Sequence, residues 1–93
     1  MTINLNAVEL PNFGMPSAEP SLSQAIYEAR IARLRQKMQV EALDFVIVYG
    51  DREHNANTTY LCGYDPRFEE SLLIIGKTGL PHLLLGNEGW GYA

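Results

Sequence analysis

The stretch Leu43-Asp-Phe-Val-Ile-Val-Tyr-Gly-Asp-Arg-Glu-His54, continued by Asn57-Thr-Thr-Tyr-Leu-Cys-Gly-Tyr64, decides the fold class of this chain. Its first half is a run of apolar, β-favouring residues that ends at Gly50, and a polar segment follows at once. A strand that is apolar on both faces is typical of a sheet covered on both sides, as in α/β proteins. The polar residues come where the strand ends, and loops at strand ends are common ligand sites. We therefore expect an α/β domain with a polar rim at the end of this strand.

Length and composition indicate one small globular domain. The chain has 93 residues, of which 46% are hydrophobic and 19% charged, and its net charge is −4. This acidic balance gives no electrostatic basis for binding nucleic acid or an anionic membrane surface. No apolar run approaches the ~20 residues that span a bilayer, and the first residues lack the pattern of a signal peptide. Because the single cysteine, Cys62, cannot form an internal disulfide, a cytoplasmic location is expected.

An arm and a helix are predicted ahead of the strand. Residues 1–20 contain three prolines and a glycine without any helical or strand period, which predicts an extended N-terminal arm, with the domain itself over 21–93. We expect Ser21 and Gln24 to form a capping box at the start of an amphipathic helix. One face of this helix is apolar and the other basic, the two sets being Tyr27, Ile31, Leu34 and Met38, and Arg30, Arg33, Arg35 and Lys37.

The rest of the chain predicts a short helix and a hairpin. Asp51 is expected to cap a helix that runs to about Leu61 and stops at Gly63. Residues 71–75 and 82–85 are predicted to be buried strands of an antiparallel hairpin. Three strands that are apolar on both faces need a layer of structure on each side, and two helices are too few. A neighbouring copy, or the remainder of a longer protein, is expected to supply the missing cover.

The sequence offers little for metal or nucleophilic chemistry. Of the two histidines, His82 is predicted at the start of a strand. Asp51 and His54 are three residues apart and could share a helical face, but two ligands make a poor site, so an intrinsic metal site is not expected. Cys62 is interpreted as a small buried hydrophobe, because no helix dipole or cation is placed to activate it. The segment 76–79 is interpreted as a hairpin turn and not a phosphate-binding loop. Trp90 is expected either to plug the core or to anchor an interface.

The polar rim holds the candidate binding residues, which fall in connections around one strand end: Asp51, His54, Asn57, Tyr64, Asp65 and Arg67. Asp51, Asn57 and Asp65 have ready structural roles as caps and turn residues. For His54, Arg67 and Phe68 the sequence suggests no turn or capping role, so binding and structural interpretations both stay open.

Several short pieces, taken in order, resemble the N-terminal domain of the creatinase/prolidase/aminopeptidase P family, the "pita-bread" metallohydrolases. The pieces are Arg30-Ile-Ala-Arg-Leu-Arg35, Ala42-Leu-Asp44, Phe45-Val-Ile-Val48, Asn57, Tyr60-Leu-Cys-Gly-Tyr64, Leu72-Leu-Ile-Ile75 and Leu83-Leu-Leu85. The likeness covers about residues 23–86. Departures from the family pattern are Ala42 for Gly, Cys62 for Thr and Tyr64 for Phe, all of them compatible with packing.

The resemblance implies a fold and a division of labour. It implies a mixed β-sheet with flanking helices, ribonuclease H-like and truncated in this chain. Catalysis would belong to a C-terminal domain, where Asp, His and Glu hold two divalent ions (Mn, Co or Zn) that activate a water. The N-terminal domain would support homo-oligomers and lend loops to another subunit's active site. On this basis His54, Tyr64, Arg67 and Phe68 are the expected substrate-binding residues, with Arg67 as a carboxylate partner and Phe68 as an apolar wall.

The resemblance favours a non-catalytic N-terminal domain of a metal-dependent Xaa-Pro aminopeptidase or prolidase-like hydrolase. Its partners would be further copies and its own C-terminal catalytic domain, with no nucleic acid and no membrane. A creatinase-like amidinohydrolase is the alternative parent. A stand-alone protein-binding module of the same fold is a different class of answer, and an unrelated small α/β domain that dimerises is a third.

Overall fold

The computed structural model describes residues 1–18 and 20–93, with only the backbone of Tyr92. The elements are α1 (Gln24–Val40), β1 (Phe45–Gly50), α2 (Ala56–Cys62), β2 (Ser71–Gly76), β3 (His82–Leu85) and a short 3-10 helix (Trp90–Tyr92). The strands form one sheet in the order β1-β2-β3. The α/β class is confirmed; although the resemblance implies a mixed sheet, both pairings among the described residues are antiparallel.

One face of the sheet carries the hydrophobic core. The register pairs Val48 with Leu73 and Leu73 with Leu83, so these side chains are neighbours on the same face. Met38 of α1 and Leu61 of α2 pack with them in one cluster. Each fully buried side chain of this kind stabilises the fold by roughly 1.5–3 kcal/mol. The two helices therefore hold the sheet from one side.

The opposite face of the sheet is open. Phe45, Ile47 and Tyr49 of β1 are exposed, as are Leu72 and Leu84 across the sheet. Among the described residues, only one face of the sheet is covered, because α1 and α2 both pack on that face. This agrees with the prediction that two helices are too few to cover both faces of the sheet.

The predicted capping box at the start of α1 is wrong. The helix begins at Gln24 with Ser23 at the N-cap, and the Ser23 side chain caps no backbone group among the described residues. A capping box needs Glu or Gln at the third helical position, whereas Gln24 is at the first. The Gln24 amide donates instead to Glu28, with Nε2 2.8 Å from Oε1.

Two arginines on the predicted basic face of α1 make contacts within the fold instead of pointing freely into solvent. The Arg30 guanidinium stacks 4.1 Å from the Tyr60 ring centroid, and its Nη1 donates to the Tyr60 carbonyl at 2.8 Å. Arg35 donates through Nε to the Gly76 carbonyl at 2.9 Å and through Nη2 to Gly79. Basic side chains therefore tie α1 to α2 and to the β2–β3 hairpin.

The short helix α2 starts later than predicted. Asn55, not Asp51, occupies its N-cap, since Asp51 is used in the preceding turn. Its end at Gly63 is confirmed: Gly63 has φ 77°, a left-handed conformation that glycine adopts without steric cost.

The two ends of the chain differ in packing. Residues 1–18 contain no helix or strand, and their large apolar side chains are exposed. At the other end Trp90 is 76% exposed, so the interpretation of Trp90 as a core plug is wrong. Of the helices described, none is long and apolar enough to cross a bilayer.

Candidate functional site: a polar rim at the end of β1

Asp51 organises the turn that follows β1. Its Oδ1 accepts hydrogen bonds from the backbone N–H groups of Glu53 at 2.9 Å and His54 at 2.6 Å. The Tyr49 hydroxyl donates to Oδ2 at 2.9 Å. The Asp51 N–H donates back to the His54 carbonyl at 3.1 Å, which closes the turn. The carboxylate is therefore held in place by the end of the strand and by the turn itself.

These hydrogen bonds set the acidity of the cluster. Desolvation, the largest single influence, pushes the pKa of Asp51 up, but the donors from His54, Tyr49 and Glu53 together hold the pKa below its ordinary value of 3.8. The hydrogen bond to this carboxylate raises the pKa of Tyr49 above 10.0, with desolvation and the charges of Asp51 and Glu70 acting in the same direction. Asp51 is thus ionised at neutral pH and Tyr49 is protonated.

The local partner of His54 is the Asp51 carboxylate. The His54 Nδ1 lies 3.0 Å from Asp51 Oδ1. When Nδ1–H donates to a carboxylate, the neutral ring presents Nε2 as an acceptor. Since the side chain is 73% exposed, His54 combines an anchored ring with a solvent-accessible edge.

Arg67 and Phe68 lie on the connection between α2 and β2. Arg67 Nε donates to Asp65 Oδ2 at 3.0 Å, in a largely exposed ion pair. The Arg67 N–H also donates to the Asp65 carbonyl at 2.9 Å, so Asp65 is a turn residue as expected. Phe68 is exposed over more than half of its surface.

A crevice brings the two loops together. It has a volume of about 220 Å³ and is lined by Asp51, Arg52, Glu53, Phe68, Glu69 and Glu70. Four of these six side chains are carboxylates, next to one arginine and one aromatic ring. The first loop of the rim therefore meets the segment that begins with Phe68.

Two predicted members of the rim lie elsewhere. Tyr64 is buried, and its hydroxyl donates to the Gly89 carbonyl at 3.5 Å. Asn57 lines a separate groove with Arg30 and Tyr60. Conversely, the sequence reasoning missed Tyr49, although residues two apart in a strand share a face and could have linked it to Asp51.

The described residues do not fit a metal centre. No three His, Cys, Asp or Glu side chains among them are grouped so as to hold an ion. Cys62 donates its thiol hydrogen to the Thr58 carbonyl at 3.2 Å, and burial raises the pKa of the thiol. A raised pKa disfavours the thiolate that a nucleophile requires.

Comparison with known proteins places this rim in a family. Searches of curated proteins and of solved structures gave no match. A family model described as the creatinase/prolidase N-terminal domain matches residues 30–88, which include α1 from Arg30 onwards, α2, all three strands and both loops of the rim. Because this match covers more than half of the chain, the protein belongs to the creatinase/prolidase N-terminal domain family.

Proposed function

We propose that this chain is the non-catalytic N-terminal domain of a metal-dependent hydrolase of the Xaa-Pro aminopeptidase/prolidase type. In this role it supports assembly into homo-oligomers and shapes access to an active site held by a C-terminal domain, with the two divalent ions bound there. The family match over residues 30–88 supports the domain type. The crevice at the end of β1 is the observation that carries the access role, because it joins two exposed loops in one surface.

A carboxylate of a short substrate would bind at Arg67, which is not among the lining residues of the carboxylate-rich crevice, and an apolar part of the substrate would contact Phe68. Arg67 engages Asp65 through Nε, and a guanidinium carries further N–H donors on its two terminal nitrogens, in a planar fork that matches a carboxylate. The exposed pair contributes only ~0–1 kcal/mol, so a competing carboxylate can displace Asp65. Phe68 would pack against the apolar part, and His54 would offer Nε2 to a donor on the ligand.

NMR titration of the 15N-labelled chain with Ala-Pro tests the binding role. We expect shifts for the amides of residues 51–54 and 65–70, lost in Arg67→Gln and kept in the control Lys37→Gln, whose exposed side chain lies on α1 away from the rim. Ala-Pro with an amidated C-terminus should give much smaller shifts, because it lacks the carboxylate. Equal shifts with the amidated ligand, or an unaffected Arg67→Gln variant, would contradict the proposal.

The same titration separates the two candidate parents. Creatine also carries a carboxylate, so stronger binding of creatine than of Ala-Pro would favour a creatinase-like amidinohydrolase. Incubation with Mn²⁺ or Co²⁺ and Ala-Pro should release no proline. Turnover at rates typical of a peptidase would overturn the assignment of catalysis to another domain.

A protein-binding module is the second candidate, and the open sheet face supports it. Its exposed apolar residues form a continuous row along β1, and such patches often mark protein interfaces. A reading frame that continues after Ala93 into Asp, His and Glu metal motifs favours the hydrolase; a stop codon favours the module. A cytoplasmic location and the absence of nucleic acid or membrane partners stay predictions.

A further inference from the structure

An open groove runs beside α1 on the helical side of the sheet. Its volume is about 1020 Å³, and its lining comes from α1, the end of α2, the β2–β3 hairpin and β3. Leu61 and Leu73 in this lining are buried members of the core, whereas Leu80 is 85% exposed. The groove therefore borders the buried core and has an exposed apolar residue, Leu80, at its hairpin side.

The N-terminal arm, here residues 1–18, is a second exposed apolar surface. Its large apolar side chains include three pairs, each two residues apart, and all are exposed: Ile3 and Leu5, Val8 and Leu10, Phe13 and Met15. In an extended chain residues two apart point to the same side. Each pair can thus enter an apolar groove together while the residue between them faces solvent.

The direction of the arm argues against binding in its own groove. The arm joins α1 at the end where Gln24 and Tyr27 line the groove, so binding in cis requires a reversal just before the helix. Pro20 lies four residues before Gln24 and Pro16 four residues before that, and prolines favour extended, semi-rigid chain. The molecule measures 63 × 32 × 27 Å, and an extended arm of this length reaches about 60 Å. The arm projects from the domain.

We propose that two copies of this chain exchange their N-terminal arms, each arm binding in the groove beside α1 of the other copy. The inference deepens the assembly part of the proposed function by naming the segment and the surface. Nineteen residues line the groove, and with an arm from each copy the interface reaches the 20–30 residues a side that stable interfaces use. In a dimer with two-fold symmetry the same contact is made twice. Exchange of an identical segment between two copies is a common route to dimers.

Charge is consistent with this occupant. The arm carries Glu9 and no Lys or Arg. The charged residues of the groove lining are Arg35 and Lys77 against the single acid Glu28. The N-terminal ammonium of Met1 offsets Glu9, so the arm is close to neutral and the charges of the groove do not repel it.

Cross-linking to the native thiol tests the exchange directly. Cys62 lines the groove and is the one cysteine in the sequence. In Phe13→Cys, mild oxidation should form a disulfide between the introduced thiol of one copy and Cys62 of the other, seen as a covalent dimer on a non-reducing gel. Asn87→Cys, an exposed position outside the arm and the groove, is the matched control and should stay monomeric. An internal disulfide in a monomer would overturn the exchange.

Light scattering during gel filtration provides an independent readout. The unmodified chain should be a dimer, and Phe13→Asp or Leu80→Asp should weaken it by about 30-fold or more, as for a central apolar anchor. Leu84→Asp, on the open sheet face, should leave the dimer intact. Circular dichroism should be the same for all three variants, because each replaced side chain is exposed.

The outcomes also separate this inference from the proposed function. A dimer that dissociates in Leu84→Asp but survives Phe13→Asp would place the interface on the sheet face and overturn the arm exchange alone. A monomer at every concentration would overturn the arm exchange and the assembly role together. Ala-Pro binding at the rim is measured separately and does not depend on either result.

Discussion

At the scale of single residues, the Tyr49–Asp51–His54 cluster shows how one carboxylate can organise a strand end. Asp51 receives donors from the strand before it and from the turn after it. Its pKa is lowered in the folded chain, so its contribution to stability is present above the ordinary pKa of 3.8 and is lost as the pH falls through the folded pKa.

Tyr49→Phe should raise the pKa of Asp51 towards its ordinary value, because the hydroxyl is one of the donors that lower it. Carboxyl 13C shifts followed against pH would measure this. The variant should also be less stable than the parent at pH 7, and the difference should shrink as the pH falls below 3.8. Tyr60→Phe, whose hydroxyl accepts from Arg33 at 3.1 Å, is the control. An unchanged Asp51 titration would contradict the assigned hydrogen bond.

At the scale of elements, the sheet and α2 meet at Gly50 with no space for a side chain. A Cβ at this position would lie 2.5 Å from Thr58 Oγ1 and 3.0 Å from Ser71 Oγ. Both hydroxyls are buried, without a hydrogen-bond partner among the described residues. The last residue of β1 therefore lets the N-terminal half of α2 approach the sheet.

Gly50→Ala should destabilise the fold by about 1–3 kcal/mol, the usual cost of overpacking. Urea unfolding measures this, and Thr58→Ala in the same chain should recover part of the loss by removing the nearest atom. Gly91→Ala, where a Cβ would meet nothing within 4 Å, should change stability by less than ~0.5 kcal/mol. Equal effects at the two glycines would show that the close approach is absent.

The presence of each helix and strand was easier to predict from the sequence than its first and last residues or the contacts of its side chains. The bounds of β3 and the hairpin were predicted correctly because Pro81 and residues 76–79 mark their limits, but the prediction that β3 is buried is wrong, since its residues are exposed or half-buried. The start of α1 was missed because Ser21 and Ser23 are both acceptable caps, and only the backbone selects one. The pairing of His54 with Asp51 depends on a turn whose shape no local pattern specifies.

At the scale of the whole molecule, the main feature is cover on one side of the sheet. Apolar composition alone predicted strands buried on both faces, since a run such as Phe45–Val48 does not reveal which side chains find a partner. The strand register shows which side chains find a partner. Ile47 and Ile74 pair on the open face, and Val48 and Leu73 pair on the covered face. Stability should therefore depend on the two faces unequally.

Ile75→Val and Ile47→Val form a matched pair for this point. Ile75 is fully buried, so its truncation should cost about 0.5–1.5 kcal/mol. Ile47 is 61% exposed, and the same truncation there should cost close to nothing. Urea unfolding of both variants measures the two losses in the free energy of unfolding. A comparable cost at Ile47 would mean that another surface covers this face in solution.

The exposed position of Trp90 determines what fluorescence can report about this protein. Trp90 is the single tryptophan, and its indole is solvated before any denaturant is added. Its emission maximum should therefore already be red-shifted in the folded chain, and acrylamide should quench it readily. Unfolding of the core would change this emission little, so tyrosine near-UV dichroism is the better probe of folding. A blue shift, by contrast, would signal that something has docked on the C-terminal end.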